Sequence, residues 1–120
     1  MQDARSAAGQ YATCLLSGEI SPLIYGREAQ KKFASNVAEL GETGIKAMLD
    51  DLNARKSQWE AAFKLIAKRR CAQQRFAQQR ETAAEALAAV RAGFANVIRD
   101  LKMQLYAKTP PNAPALFLKL

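Results

Sequence analysis

The sequence predicts an all-α protein, either a helical bundle or a long helical hairpin with coiled-coil character. Three observations indicate this: alanine is abundant, apolar residues recur at helical spacing, and no glycine or proline occurs between Gly44 and Gly93. The 120 residues are enough for about one domain. We therefore predict a single helical domain over residues 1–109, followed by a Pro-rich, apolar C-terminal tail over residues 110–120.

The first helix is predicted from the N-terminal segment. Ala4, Ala8, Tyr11 and Leu15 recur at the spacing of one helical face. Gly18 follows and is placed to end the helix, because glycine accepts the left-handed conformation common at helix C-termini.

A second helix is predicted to start at Ser21, which can cap it, with Pro22 at the first helical position. Gly26 weakens its first turns. One face of this helix is lined by apolar residues, namely Ala29, Phe33, Val37 and Leu40. The segment "GETG" at 41–44 is the predicted break, because it holds two glycines in four residues.

From Ile45 onward the apolar residues follow a heptad pattern that is apolar at both ends and polar in the middle. The pattern allows one continuous helix over 45–108, about 95 Å long, which needs a second copy or a partner to cover it. It also allows an antiparallel hairpin that breaks within the polar middle, and we favour this alternative. Thr82 and Glu85 form a T-x-x-E capping box, which is a helix-start signal.

Several kinds of catalytic site are missing from the sequence. There is no histidine, and two cysteines alone cannot form a structural zinc site. Neither of the common glycine-rich phosphate-binding motifs occurs. The acidic pairs Asp50–Asp51 and Glu81–Glu85 are interpreted as solvated helix charges. We therefore predict no catalytic, cofactor-binding or metal-binding residues, and a protein that is not an enzyme.

The positive charge is concentrated in the second half of the chain. Residues 1–60 carry seven basic and eight acidic side chains, a net of −1, whereas residues 61–120 carry eleven and three, a net of +8. Six of the basic residues lie in "KLIAKRRCAQQRFAQQRE", from Lys64 to Glu81. Such a surface attracts acidic partners. The predicted contacts with a partner or with phosphate are Lys64, Lys68, Arg69, Arg75 and Arg80.

Cys14 and Cys71 are the only cysteines, and their even number is consistent with either one disulfide or two thiols.

The sequence contains no apolar run long enough to span a membrane and no recognisable signal peptide. A cytoplasmic location is the default expectation. A Cys14–Cys71 bridge would instead indicate an extracytoplasmic location.

The C-terminal tail combines three prolines with an apolar end. Two interpretations remain: the tail folds back over the bundle, or it docks on another protein. The residues that would carry the docking are Leu116, Phe117, Leu118 and Leu120.

Three functions are compatible with these features. The favoured one is a non-catalytic protein–protein interaction or assembly protein that acts through its helical surfaces, with a protein partner or self-association. The second is a nucleic-acid-binding protein that uses the basic segment 64–80. The third is a small extracytoplasmic binding or inhibitor protein stapled by a Cys14–Cys71 disulfide.

Overall fold

The computed structural model describes residues 4–18, 21–73 and 82–107. Helix accounts for about 92% of these residues, which confirms the all-α prediction. A 3-10 turn over Lys56–Gln58 joins the fourth α-helix to the fifth. The α-helices of the described residues are α1 (Ala4–Ser17), α2 (Pro22–Tyr25), α3 (Arg27–Ala38), α4 (Gly41–Ala54), α5 (Trp59–Gln73) and α6 (Ala83–Ala107).

The end of α1 and the start of α2 are tied together by one buried serine. Gly18 follows α1 with a φ of 80°, as predicted. The Ser21 hydroxyl accepts a hydrogen bond from the Leu23 backbone N–H at 3.2 Å and donates one to the Leu15 carbonyl at 3.1 Å. Ser21 is fully buried, so this cap satisfies groups at two helix ends away from water.

The predicted second helix is divided in two, which is a difference from the sequence-based expectation. Gly26 has a φ of 92°, a left-handed conformation that stops α2 after one turn, and α3 begins at the next residue. The break before α4 also lies earlier than expected, at Glu39 and Leu40. Gly44 is inside α4, where a Cβ atom would stand 2.2 Å from the Cβ of Leu40. Gly44 therefore leaves room for the Leu40 side chain and does not form the predicted break.

The alternative of one continuous helix over 45–108 is wrong. The chain leaves the helical path at Arg55, which has φ −95° and ψ 13°. Trp59 Nε1 donates a 2.9 Å hydrogen bond to the Leu52 carbonyl and satisfies one of the carbonyls left at the end of α4. The physical reason for the break is tertiary: α4 packs mainly on α1, whereas α5 packs mainly on α6. A straight helix cannot face both neighbours.

The core lies between these helix pairs. Fully buried side chains from all six of the described α-helices meet in one cluster that includes Leu15, Leu23, Val37, Ile45, Met48, Leu52, Ile66, Val90 and Leu101. Because the apolar stripes of α4, α5 and α6 close on one another within the chain, the exposed stripe that a continuous helix would have left for self-association is covered.

The start of α6 has the predicted capping box. The Thr82 N–H donates to the Glu85 carboxylate, and the Glu85 N–H donates to the Thr82 hydroxyl, both at 3.1 Å. At this same end of α6, Cys71 Sγ, near the end of α5, lies 4.0 Å from the Thr82 carbonyl oxygen. Glu60, near the start of α5, pairs with Arg91 farther along α6, so the two helices run in opposite directions.

None of the helices in the described part of the chain is both long enough and apolar enough to cross a membrane.

Candidate binding groove

Three aromatic rings meet where the first turns of α5 face the middle of α6. Trp59 and Phe63 are four residues apart and so share a face of α5. Phe94 of α6 packs against both, with ring centroids 4.6 Å from Trp59 and 4.9 Å from Phe63. The Trp59–Phe94 pair is edge-to-face, an arrangement that aromatic quadrupoles favour. The cluster is therefore a rigid apolar platform.

The platform is the floor of an open cavity of about 500 Å³. Phe94 is only 3% exposed and anchors the floor, whereas Trp59 is half-buried and presents part of its indole to the opening. We name this cavity the aromatic groove. Its lining residues are Trp59, Phe63, Arg91, Phe94, Ala95, Ile98, Arg99 and Lys102.

Cationic side chains border the aromatic groove on the α6 side, and its lining includes no acidic side chain from the part of the chain that the structure describes. Arg91 is paired with Glu60, and its hydrogen bond holds the pKa of that carboxyl below its ordinary value. Arg99 is exposed, 4.0 Å from the neighbouring Asp100 carboxylate. The third cation is Lys102. An apolar floor beside positive charge suits a ligand that is apolar on one side and acidic on the other.

The structure separates the predicted basic contacts into two kinds. Lys64 and Lys68 are exposed on α5. Arg69, by contrast, donates to the Ser17 carbonyl at the end of α1, at 3.0 Å. Its neighbour Arg70, which the sequence did not single out as a contact, donates to the Leu23 carbonyl of α2 at 2.7 Å. These two guanidiniums tie helix ends together inside the chain.

Two of the predicted contacts, Arg75 and Arg80, lie outside the described residues, as do the four apolar residues predicted to carry docking by the tail: Leu116, Phe117, Leu118 and Leu120.

A second cavity, of about 520 Å³, lies at the other end of the α5–α6 pair. It brings Lys64, Lys68 and Cys71 of α5 together. Its other lining residues are Ala67, Ala83, Ala84 and Leu87. The cavity is therefore apolar with two ammonium groups at its edge, and none of the described residues that line it is aromatic.

Both cysteines are thiols in the structure, Cys14 on α1 and Cys71 on α5. Each is half-buried and packs against the core. Burial raises the pKa of the Cys14 thiol above its ordinary value, because a thiolate is poorly solvated there. The bridge expected as one alternative stays a prediction that a thiol count can test.

We expect unreduced protein to show two reactive thiols, with Cys14 reacting slowly at neutral pH. The thiolate is the attacking species, and a raised pKa leaves less of it at pH 7. The Cys14 rate should therefore keep rising as the pH approaches and passes the ordinary thiol pKa of about 8.5. The rate of Cys14 modification would be measured by timed thiol labelling of the Cys71→Ser variant at several pH values. A count of zero thiols before reduction would instead establish the disulfide.

Two neighbouring acidic residues of α4 lie among cations. Asp50 and Asp51 line a polar cavity that also contains cations, Arg5 and Lys46. In residues 4–18, 21–73 and 82–107, no group of three or more His, Cys, Asp or Glu side chains is placed to hold a metal ion.

The sequence did not reveal the aromatic groove. Helical spacing alone predicts that Trp59, Phe63 and Phe94 are core residues, which is correct for the two phenylalanines, whereas Trp59 is only half-buried. One feature of the sequence does indicate the cationic border of the groove: Arg91 and Lys102 are eleven residues apart, about three helical turns, and so share a face of α6.

No protein-family model, curated protein or solved structure matches the chain.

Proposed function

We propose that the protein is a non-catalytic interaction protein that holds an acidic, amphipathic helix of a partner protein in the aromatic groove. The observation that supports this is the juxtaposition of the Trp59–Phe94 floor with the cations at the border. Tryptophan and arginine are the residues most enriched among energetically dominant interface positions. The groove offers both within one cavity.

The dimensions of the groove favour a helical ligand. From Arg91 to Lys102 along α6 is eleven residues, or about 16 Å at 1.5 Å per residue. This length is about three turns of a partner helix, which is enough to place apolar side chains at positions i, i+4 and i+7 on the floor. Acidic side chains flanking that stripe would meet Arg99 and Lys102 and would speed association.

The alternatives have weaker support. Nucleic-acid binding through 64–80 has fewer cations available to contact phosphate, because Arg69 and Arg70 already donate hydrogen bonds to backbone carbonyls. Self-assembly through a long coiled-coil hairpin would need an apolar seam, and the end of α4 at Ala54 interrupts the one that the heptads indicated. An inhibitor stapled by a disulfide depends on the outcome of the thiol count.

The double variant Arg99→Glu/Lys102→Glu is expected to weaken the proposed complex by at least about tenfold, because like charges would face the acidic ligand. The probe is a synthetic helical peptide with leucines at i, i+4 and i+7 and glutamates on both sides of that stripe. Binding is measured by the fluorescence of Trp59, which is the only tryptophan in the chain and lies on the floor of the groove. Raising the salt concentration should weaken the wild-type complex more than that of the double variant.

The control variant is Lys46→Glu, which makes the same charge change at an exposed position on α4, outside the groove. Its affinity for the peptide should stay within about twofold of wild type at moderate salt, where distant surface charges are screened. If a peptide with the same composition but a scrambled apolar stripe bound equally well, the proposal would fail. Binding of a short DNA duplex that Lys64→Ala/Lys68→Ala abolishes would favour the nucleic-acid alternative instead.

A further inference from the structure

We infer that a cationic cavity between α3 and α6 binds a phosphate monoester carried by the partner helix, beside the aromatic groove. The inference rests on the proposed function and deepens it, because it names the chemistry of the partner. The cavity has a volume of about 320 Å³, and we name it the cationic cavity. Its lining residues are Arg27, Gln30, Lys31, Asn96, Arg99 and Asp100.

The formal charge of the cationic cavity matches that of a dianion. Among the described residues that line it, three are cations and one is a carboxylate, so the net charge is +2. A phosphate monoester carries a charge of about −1.5 to −2 at neutral pH, whereas a glutamate carries a single negative charge. A phosphoserine would therefore neutralise the cavity, and a glutamate would leave part of the positive charge uncompensated.

The cations from α3 are placed where they oppose one another. Arg27 and Lys31 are four residues apart, a spacing at which like charges destabilise a helix. Arg27 is also the first residue of α3, where the helix dipole disfavours positive charge. Glu28, the acidic residue of that turn, does not line the cavity. A bound dianion would turn this repulsion into attraction toward both cations.

The cationic cavity also provides hydrogen-bond donors that suit phosphate oxygens. Arg99 approaches the Asp100 carboxylate through Nε, at 4.0 Å, so the two terminal nitrogens of its guanidinium can donate to phosphate. Gln30 and Asn96 are half-buried and add amide N–H groups. Gly93 lets the Gln30 amide lie close against α6, because a Cβ at that glycine would stand 2.6 Å from Gln30 Nε2. Donors from both helices therefore converge on one cavity.

Arg99 lines both the cationic cavity and the aromatic groove. On a helical wheel at about 100° per residue, it lies between Asn96 of the cavity and Lys102 of the groove, about 60° from each. The two cavities are therefore neighbours around α6. A helix seated on the aromatic floor would present one flank of its apolar stripe to the cationic cavity, and a phosphoserine on that flank can reach it. This continuity favours a phosphorylated protein partner over a separate small ligand or a nucleic acid.

The anion site itself is tested without any partner helix. The isotope-labelled chain is titrated with O-phosphoserine, and the side-chain amide resonances of Gln30 and Asn96 are followed by NMR. We expect saturable shifts of both resonances, and no shifts with serine. The variant Arg27→Gln/Lys31→Gln removes two cations that line this cavity and not the aromatic groove, and it should abolish the shifts. Failure of the resonances to shift in wild type would overturn the inference.

The amphipathic peptide then tests the carrier of the phosphate. Two versions carry phosphoserine at i+3 or at i+8, one on each flank of the leucine stripe, so that both directions of the bound helix are sampled. We expect phosphorylation at one of these positions to strengthen binding to wild type at least about tenfold over the serine peptide. In Arg27→Gln/Lys31→Gln this gain should fall to about twofold or less. The control Lys32→Gln/Lys46→Gln makes the same charge change at exposed positions outside both cavities and should keep the gain.

An equal gain at both positions that survives in Arg27→Gln/Lys31→Gln would overturn the inference, because it would reflect general charge attraction. Shifts with O-phosphoserine and inorganic phosphate, but no gain for either phosphopeptide, would reject a phosphate carried by the partner and identify a site for free phosphate compounds. Displacement of O-phosphoserine by a short DNA duplex at physiological salt would overturn it in favour of nucleic acid. If the serine peptide and both phosphopeptides failed to bind, the proposed function and the carrier would be rejected, and the NMR titration alone would decide on the anion site.

Discussion

Replacing Phe94 with alanine is expected to lower the free energy of unfolding by about 3–5 kcal/mol, the largest single effect we predict. Phe94 is 3% exposed, and its ring contacts both Trp59 and Phe63. Removing it leaves a cavity that the surrounding helices can fill only in part. It also removes two aromatic contacts, each worth about 0.5–1.5 kcal/mol beyond area burial. Urea denaturation followed by circular dichroism would measure the loss.

The control for this prediction is Met103→Ala on the same helix. Met103 is 65% exposed, so its truncation should change stability by no more than about 0.5 kcal/mol. A loss below about 1 kcal/mol for Phe94→Ala would show that the aromatic cluster is loosely packed. The groove would then lack the rigid floor on which the proposed binding depends.

Local signals were the part of the fold that the sequence predicted well. Gly18, Ser21 and the Thr82–Glu85 box act within a few residues of themselves, and each has its predicted role in the structure. Helix ends of this kind depend on backbone groups that nearby side chains satisfy, so they can be read without knowledge of the tertiary fold.

The break at Arg55, by contrast, is not specified by local signals in the sequence. No glycine or proline marks it, and the local preference is for helix to continue. It is fixed by distant partners: Arg55 donates to the Thr13 hydroxyl of α1 at 3.2 Å, while Trp59 turns back to the Leu52 carbonyl. A pattern of apolar residues describes one helix at a time, and it carries no information on which neighbour each stripe will meet.

The candidate site was hidden for a related reason. A helical periodicity assigns every large apolar residue to the core, and Phe94 does lie there. Whether Trp59 is half-open to solvent depends on how α5 and α6 are spaced, which is a property of the packed pair. Likewise, the charge pattern made Arg69 a candidate for external contact, whereas the fold places it at the end of α1.

The double variant Arg69→Met/Arg70→Met is expected to lower the free energy of unfolding by about 2–4 kcal/mol. Each guanidinium donates a charge-assisted hydrogen bond to a carbonyl near a helix end, of Ser17 and of Leu23 respectively. Methionine keeps much of the aliphatic length but has no N–H, so the carbonyls lose these donors in a half-buried setting. The attraction between a cation and the negative end of the α1 dipole is lost as well.

The matched control is Lys64→Met/Lys68→Met, which removes the same two positive charges from the same helix. Both lysines are exposed, so stability should change by no more than about 0.5 kcal/mol. Thermal unfolding of the two double variants at equal salt separates the two roles of the basic stretch, because the net charge of the variants is identical. If both pairs lowered stability equally, long-range charge would be the cause, and Arg69 would again be a candidate for contact with an external partner. A larger loss of stability for the arginine variant would show that Arg69 and Arg70 have a structural role, holding α1 and α2 against α5. The exposed lysines would then be the part of the basic stretch that is available to a partner.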